Sequence, residues 1–356
     1  MISNKVRFHK LDGLRGVLSL LIVLFHYDSL LKPLLIKNSV FVLYGDTAVD
    51  YFFVLSGFVL CHRYYDIKLI EIGLFKFMKL RLVRIYPLLF YTTLVYFIVE
   101  ASVPFIFPGL MSSPNSINDN FKMLTETLLL LNSSPILGIG NGMNYPSWSI
   151  SAEMISYFIF AITIIAFSKF KYYYKYIFLV LSLVFMLALL KLNGNMMSTG
   201  SYGFLRSFFG FSFGVVVYFL SLSVNKIPKY FEIIVIILLI SYFYLIDFNR
   251  FALYFAVPVF GFSILILVKT DFILSKVLES RYLQYLGVKS YSIYLNHALF
   301  ILIIPKFLSI FFSSEDEIIK YIIMIFTITI TIIYSHFTHI LIENRIGLIL
   351  KKILKV

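Results

Sequence analysis

Apolar runs of membrane-spanning length recur along this chain from end to end, separated by short polar stretches. Nearly continuous runs of that kind predict helices that cross a bilayer, because a helix needs about 20 apolar residues to do so. Ten are predicted, at about 12–31, 47–63, 82–101, 147–168, 174–191, 201–222, 231–247, 251–268, 290–311 and 319–342. The second is interrupted in its middle by Ser56-Gly57. The expected fold is therefore all-α: one polytopic membrane bundle of about ten transmembrane helices, a single domain over 1–356 without a C-terminal soluble domain. The one long connection, 101–146, holds five of the ten prolines. Within it Phe121–Asn132 has helical character and is expected to lie on or dip into the surface of the bundle. No internal repeat or low-complexity tract interrupts the pattern.

Composition agrees with the pattern. Of 356 residues 60% are hydrophobic and 14% charged, and the mean hydropathy is +0.91; a soluble domain of this length could not hide so much apolar surface. A net charge of +13 would point to nucleic acid in a soluble protein, but here its distribution matters more. With the N-terminus on the cytoplasmic side, most of the 31 Lys and Arg fall in cytoplasmic segments, from Lys5, Arg7 and Lys10 through the stretch Arg63–Arg84 to Lys351, Lys352 and Lys355. That asymmetry follows the positive-inside rule and predicts two cytoplasmic termini. The charge thus implies membrane lipids as surroundings and no nucleic-acid partner. Cys61 is the single cysteine, which excludes an internal disulfide and any multi-cysteine metal site. The first apolar stretch, Leu14–Leu31, has no small-residue cleavage motif and contains Arg15 and His26, so it reads as a retained helix. Gly138, Gly140 and Gly142 form a pattern better read as a turn than as a phosphate loop.

Ionisable groups within spans are costly and therefore candidates for function. Arg15 and His26 stand eleven residues apart on the first span, on one helix face and roughly 16 Å apart along the axis. A cation near the cytosol and an imidazole deep in the bundle suit a phosphate-bearing donor whose reactive end reaches inward; a snorkelling Arg and a His bonded to a neighbouring helix is the plainer reading. Asp50, Glu153 and Arg206 are expected in the same outer layer as His26. A carboxylate on one imidazole nitrogen would fix its tautomer for base chemistry, whereas a Glu153–Arg206 ion pair would merely hold helices together. Arg81 and Arg84, at i, i+3 with Lys68, Lys76 and Lys79 nearby, could grip an anion or simply set topology. His297 is expected in the inner half with Tyr291, Tyr294 and Asn296. His336, His339 and Glu343 share a face of the last span without a second ligand cluster, so no metal is expected. Trp148 is expected to be an outer interfacial anchor.

Five segments carry a resemblance. LDGLRGVLSLLIVLFH (Leu11 to His26), DYFFVLSGFVL (Asp50 to Leu60, with Ser56), RLVRIYP (Arg81 to Pro87), WSISAEMISYF (Trp148 to Phe158) and SYSIYLNH (Ser290 to His297) resemble acyltransferase family 3, in the family's order. The resemblance implies a ten-helix membrane enzyme of the bacterial cytoplasmic (inner) membrane. It implies acyl-CoA, commonly acetyl-CoA, as co-substrate with no bound cofactor, and the hydroxyls of surface or exported glycans, or of a lipid-linked saccharide, as acceptor. It also associates the Arg15/His26 and Arg81/Arg84 pairs with function. The family's Glu-x-Pro ending reads Glu343-Asn344-Arg345 here, and no role is assigned to it.

The working expectation places His26, Asp50 and Glu153 at the chemistry and Arg15, Arg81, Arg84 and His297 at the acyl donor. Arg206, Trp148 and Ser56 are further intramembrane candidates. Direct transfer with His26 as base and an acyl-histidine route both fit. A transporter or flippase for a lipid-linked glycan would use the same buried charges, although nothing in the chain repeats.

Overall fold

The computed structural model describes residues 7–27, 31–65, 67–106, 115–136, 140–312 and 315–355. Lys5, Gly138 and the side chain of Lys68 lie outside the described residues. The described residues form helices and turns without a strand. The long helices are α1 (His9–His26), α2 (Ala48–Tyr64), α3 (Ile67–Ile106), α4 (Ile117–Leu128), α5 (Trp148–Ala166), α6 (Tyr174–Asn193), α7 (Gly203–Ser223), α8 (Phe231–Phe248) and α9 (Ala256–Lys269). Two short helices, α10 (Ile273–Leu278) and α11 (Arg281–Val288), precede α12 (Ser290–Ser309) and α13 (Glu317–Thr338). A wider π-helical turn, His339–Ile346, then leads into α14 (Gly347–Ile353).

Among the described residues eight helices are long and apolar enough to cross a membrane. The two expected spans outside that set are α1, which carries Lys10, Asp12 and Arg15, and α2, of 17 residues. Both pack in the middle of the bundle, α2 against α7 and α1 against α11 and α12. Asp12, Ser19, Asp50 and Ser56 are buried against protein, which is how a membrane helix tolerates such groups. The remaining spans meet the expected ranges closely, except that α3 begins at Ile67 and runs through a break at Gly73. The helix expected at Phe121–Asn132 is α4, capped by the Ser116 hydroxyl on the Asp119 amide at 3.1 Å.

Two close approaches set the depth of everything that follows. On α1, a Cβ at Gly13 would overlap the Leu278 carbonyl, and a Cβ at Gly287 would overlap that of Asp12. α10 and α11 therefore lie flush against the first half of α1, filling the end of the bundle where the chain begins. Ser290 starts α12 well inside the bundle as a result. In the second approach, α2 and α7 run side by side in the same direction, with Gly57 against the Phe211 carbonyl and Gly214 against that of Val54. Small residues that let backbones meet are the usual basis of tight packing in lipid, where the hydrophobic effect offers no drive between helices.

Candidate active site

The two histidines that were expected in opposite halves meet. His26, the last residue of α1, places its Nδ1 3.1 Å from Nε2 of His297 on α12, with the rings stacked at 5.1 Å and 27°. The assignment of His297 to the donor half is corrected. Because α10 and α11 occupy the N-terminal end of the bundle, eight residues of α12 suffice to reach the level α1 attains after a full 18. His297 is fully buried and His26 partly exposed.

Among the described residues His297 Nδ1 is buried without a hydrogen-bond partner. One nitrogen of the His26–His297 contact donates and the other accepts; in the tautomer in which His26 donates from Nδ1, Nε2 of His297 is the acceptor. The lone pair on His26 Nε2 is then free, which is the state a base or nucleophile needs. The partner that fixes the imidazole is a second imidazole and not a carboxylate.

Tyr145 closes one side of the pair, its ring edge-on to His26 at 4.9 Å and to His297 at 6.1 Å. It belongs to a short 3-10 turn, Tyr145–Ser147, that enters the bundle ahead of α5. Asn144 Nδ2 donates to the Leu295 carbonyl at 3.0 Å, and Tyr294 OH donates to that of Pro146 at 3.0 Å. Neither Asn144 nor Tyr145 stood out in the sequence; the sole signal was a proline turn immediately before Trp148.

This turn corrects three further expectations. Trp148 is no interfacial anchor: it is buried, packed on Phe53 and over Arg206. Because α5 begins so deep, Glu153 lies below the histidines, where its carboxylate accepts a hydrogen bond from Ser56 Oγ, itself 3.2 Å from Tyr157 OH. The expected layer of one histidine, two carboxylates and an arginine therefore divides. Asp50 is engaged elsewhere, taking both Nε and Nη2 of Arg206 at 2.8 and 2.7 Å in a fully buried fork. Arg206 pairs with Asp50 rather than Glu153 because the α2–α7 contact sets them directly opposite each other. Neither carboxylate bonds to His26.

Glu153 instead joins the arginines. Arg15, on α1, donates to Asp12 at 3.2 Å and lies within electrostatic reach of Arg84, Glu153 and Tyr157. Arg81 donates to Tyr64 OH at 2.8 Å and sits over the rings of Tyr64 and Phe77. Arg84 is exposed and has no ion-pair partner among the described residues. Two fixed arginines and one free one suit an anion that arrives from outside, since guanidinium forks bind phosphate in pairs of hydrogen bonds. The cluster lies roughly 16 Å along α1 from His26.

Glu343, to which no role was assigned, adjoins this cluster. It accepts from Ser292 Oγ and meets His339 Nδ1, each at 2.9 Å, while Asn344 reaches His339 Nε2 at 3.0 Å. His336 turns away to stack on Tyr285. Among the described residues no group of His, Cys, Asp and Glu is placed to hold a metal ion.

A family model described as an acyltransferase domain, that of acyltransferase family 3, matches residues 8–336. The chain belongs to acyltransferase family 3. It is thus an integral membrane protein of an acyltransferase family, and Arg15, the Arg81/Arg84 pair and the His26–His297 contact fall within the matched span. The chain is also 31% identical over 166 residues to "Protein 2 in picA locus" of Rhizobium radiobacter, covering 43% of this chain and 80% of that protein. No solved structure matches it. Glu343, Asn344 and Arg345, on the π-helical turn, lie beyond the span matched to acyltransferase family 3.

Proposed function

We propose that this protein is a membrane O-acyltransferase that moves an acyl group, most simply acetyl, from cytosolic acyl-CoA to a hydroxyl of a surface or exported glycan. The observation that carries the reading is the His26–His297 hydrogen bond, an oriented imidazole one helix length from an arginine cluster with a free guanidinium. An acyl-CoA is anionic at one end and reactive at the other, and the separation of the two features matches that polarity.

In this reading both termini are cytoplasmic and the bundle crosses the bacterial inner membrane ten times. The phosphates of the donor engage Arg84 and Arg15, with Arg81 behind them, and the thioester extends along α1 to His26. The acceptor hydroxyl approaches from the opposite face, beside Tyr145. His26 Nε2 takes its proton as the oxygen attacks the thioester carbonyl. His297 accepts from His26 Nδ1 throughout, which holds the ring in place and favours the imidazolium that forms. The thiolate of CoA is the leaving group and the acylated glycan the product. Membranes supplied with acetyl-CoA radiolabelled in the acetyl group should deliver label to the polysaccharide fraction, and unlabelled polysaccharide would reject the function.

The arginines give a separate expectation. Arg84→Ala should raise KM for acyl-CoA about tenfold to a hundredfold with little change in kcat, because a phosphate contact is made before and during reaction alike. Arg81→Ala should raise KM as well and also lower the yield of folded protein, since it removes the contacts to Tyr64 and Phe77. Steady-state kinetics with acyl-CoA varied checks both; unchanged KM in Arg84→Ala would return these residues to setting topology.

A further inference from the structure

The N-terminal end of the bundle carries a second basic feature, apart from the arginine cluster. α3 breaks at Gly73, whose φ of +72° favours glycine, and a Cβ there would meet nothing within 4 Å. A cleft of about 330 Å³ opens at this break. Gly73, Phe75, Lys76 and Lys79 line one wall, and Leu354 and Lys355, just beyond α14, line the other. The chain returns to this place because α14 runs back along α3, with Gly347 close to the Val83 carbonyl.

Three ammonium groups therefore face one small volume. None of Lys76, Lys79 and Lys355 has a carboxylate partner among the described residues, and Glu71, the nearest acidic residue in sequence on α3, pairs with none of them. Phe75, on the cleft, is 84% exposed, and on α14 Ile353 is 66% and Leu348 60% exposed. In an integral membrane protein such side chains are covered by acyl chains. Lysines on the same surface reach the layer where lipid phosphates lie. Clusters of this kind beside a membrane segment attract anionic lipid.

We propose that this cleft binds the phosphate headgroup of an anionic membrane lipid, clipped between the start of α3 and the end of the chain. The acyl chains of that lipid cover Phe75 and the apolar face of α14. Both walls lead to the donor site, since α3 carries Arg81 and Arg84 and the turn before α14 carries Glu343. A bound lipid would thus fix the spacing between them. The binding itself does not depend on the acyl-CoA reading.

The test is lipid retention by full-length protein in nanodiscs of equimolar phosphatidylcholine and phosphatidylglycerol, read as the phosphatidylglycerol left after extraction into mild detergent. Wild-type protein should retain it, and K76Q/K79Q/K355Q should bind it about a hundredfold more weakly and lose it on extraction, the combined loss of three interfacial lysines. All three side chains are on the cleft rather than in the core, so a monodisperse variant on size exclusion is expected. K351Q/K352Q, on exposed positions of α14 outside the cleft, should retain the wild-type amount. Retention in the triple variant equal to wild type would overturn the proposal. An equal loss in the control would overturn it too, by showing a diffuse field in place of a site. Detergent-solubilised protein offered CoA and dephospho-CoA provides the remaining arm: a triple variant that binds CoA more weakly, with dephospho-CoA binding unchanged, would assign the cleft to the 3′-phosphate of a nucleotide donor and rule the lipid out.

Discussion

His26→Ala should lower kcat by about two to four orders of magnitude, the usual worth of a positioned base, while leaving the affinity for acyl-CoA largely intact. The donor contacts lie three helical turns away, so removing the imidazole costs little binding. His26→Gln is the sharper substitution, because its amide can still reach His297 and would preserve a purely structural role. It should be as inactive as the alanine variant. His297→Ala should approach the same loss, since the partner that orients His26 is gone. His297→Gln, which retains an acceptor for His26 Nδ1–H, should recover part of the rate. That graded pattern separates a positioning residue from a donor-binding one, which would raise KM instead. Turnover near wild type in folded His26→Gln would remove His26 from the chemistry and leave Glu153 the first residue to test.

Asp50→Ala should be the most damaging single change to stability among the polar residues. It strands the Arg206 guanidinium in a fully buried position, and breaking a buried pair from one side costs about 3–5 kcal/mol. Arg206→Leu leaves the Asp50 carboxylate equally stranded. Removing both charges in Asp50→Leu/Arg206→Leu should restore most of the stability, because two apolar side chains need no partner inside the bundle. The double variant should also regain most of the turnover, because neither residue bonds to His26. Thermal unfolding in detergent measures the first effect and label transfer the second. A double variant that is well folded yet inactive would return Asp50 to the catalytic role that its position in the sequence had suggested.

The helices were legible because the bilayer imposes one length on each of them, and apolar runs register that length directly. Depth was less legible. Counting residues from a helix end gives a level in the membrane only when the helix starts at the surface. α5 does not, since the Tyr145–Ser147 turn enters the bundle first, so Glu153 lies among the arginines and Trp148 is buried. α12 does not either, since α10 and α11 fill the space beside Gly13 and Gly16, so His297 lies level with His26. Partner choice failed for the same reason. Asp50 and Glu153 were both expected in the outer layer with His26 and Arg206, and only the glycine-mediated contact between α2 and α7 commits Asp50 to Arg206. The residue types at the site were readable from the chain, whereas their pairing depended on segments that show no spanning pattern and on which helices meet at glycines.

The claim that donor and acceptor meet at His26 from opposite faces has one direct measurement. Sealed membrane vesicles of both orientations, prepared from cells that express the protein, would receive radiolabelled acetyl-CoA from outside, with label then counted in the glycan fraction. Inside-out vesicles, which in the proposed topology present the N-terminal end and Arg84 to the donor, should label glycan, and the same vesicles carrying His26→Gln should not. Right-side-out vesicles should stay unlabelled until they are permeabilised. Equal labelling in intact vesicles of both orientations would contradict the account, because it would mean that the donor does not enter from the arginine end.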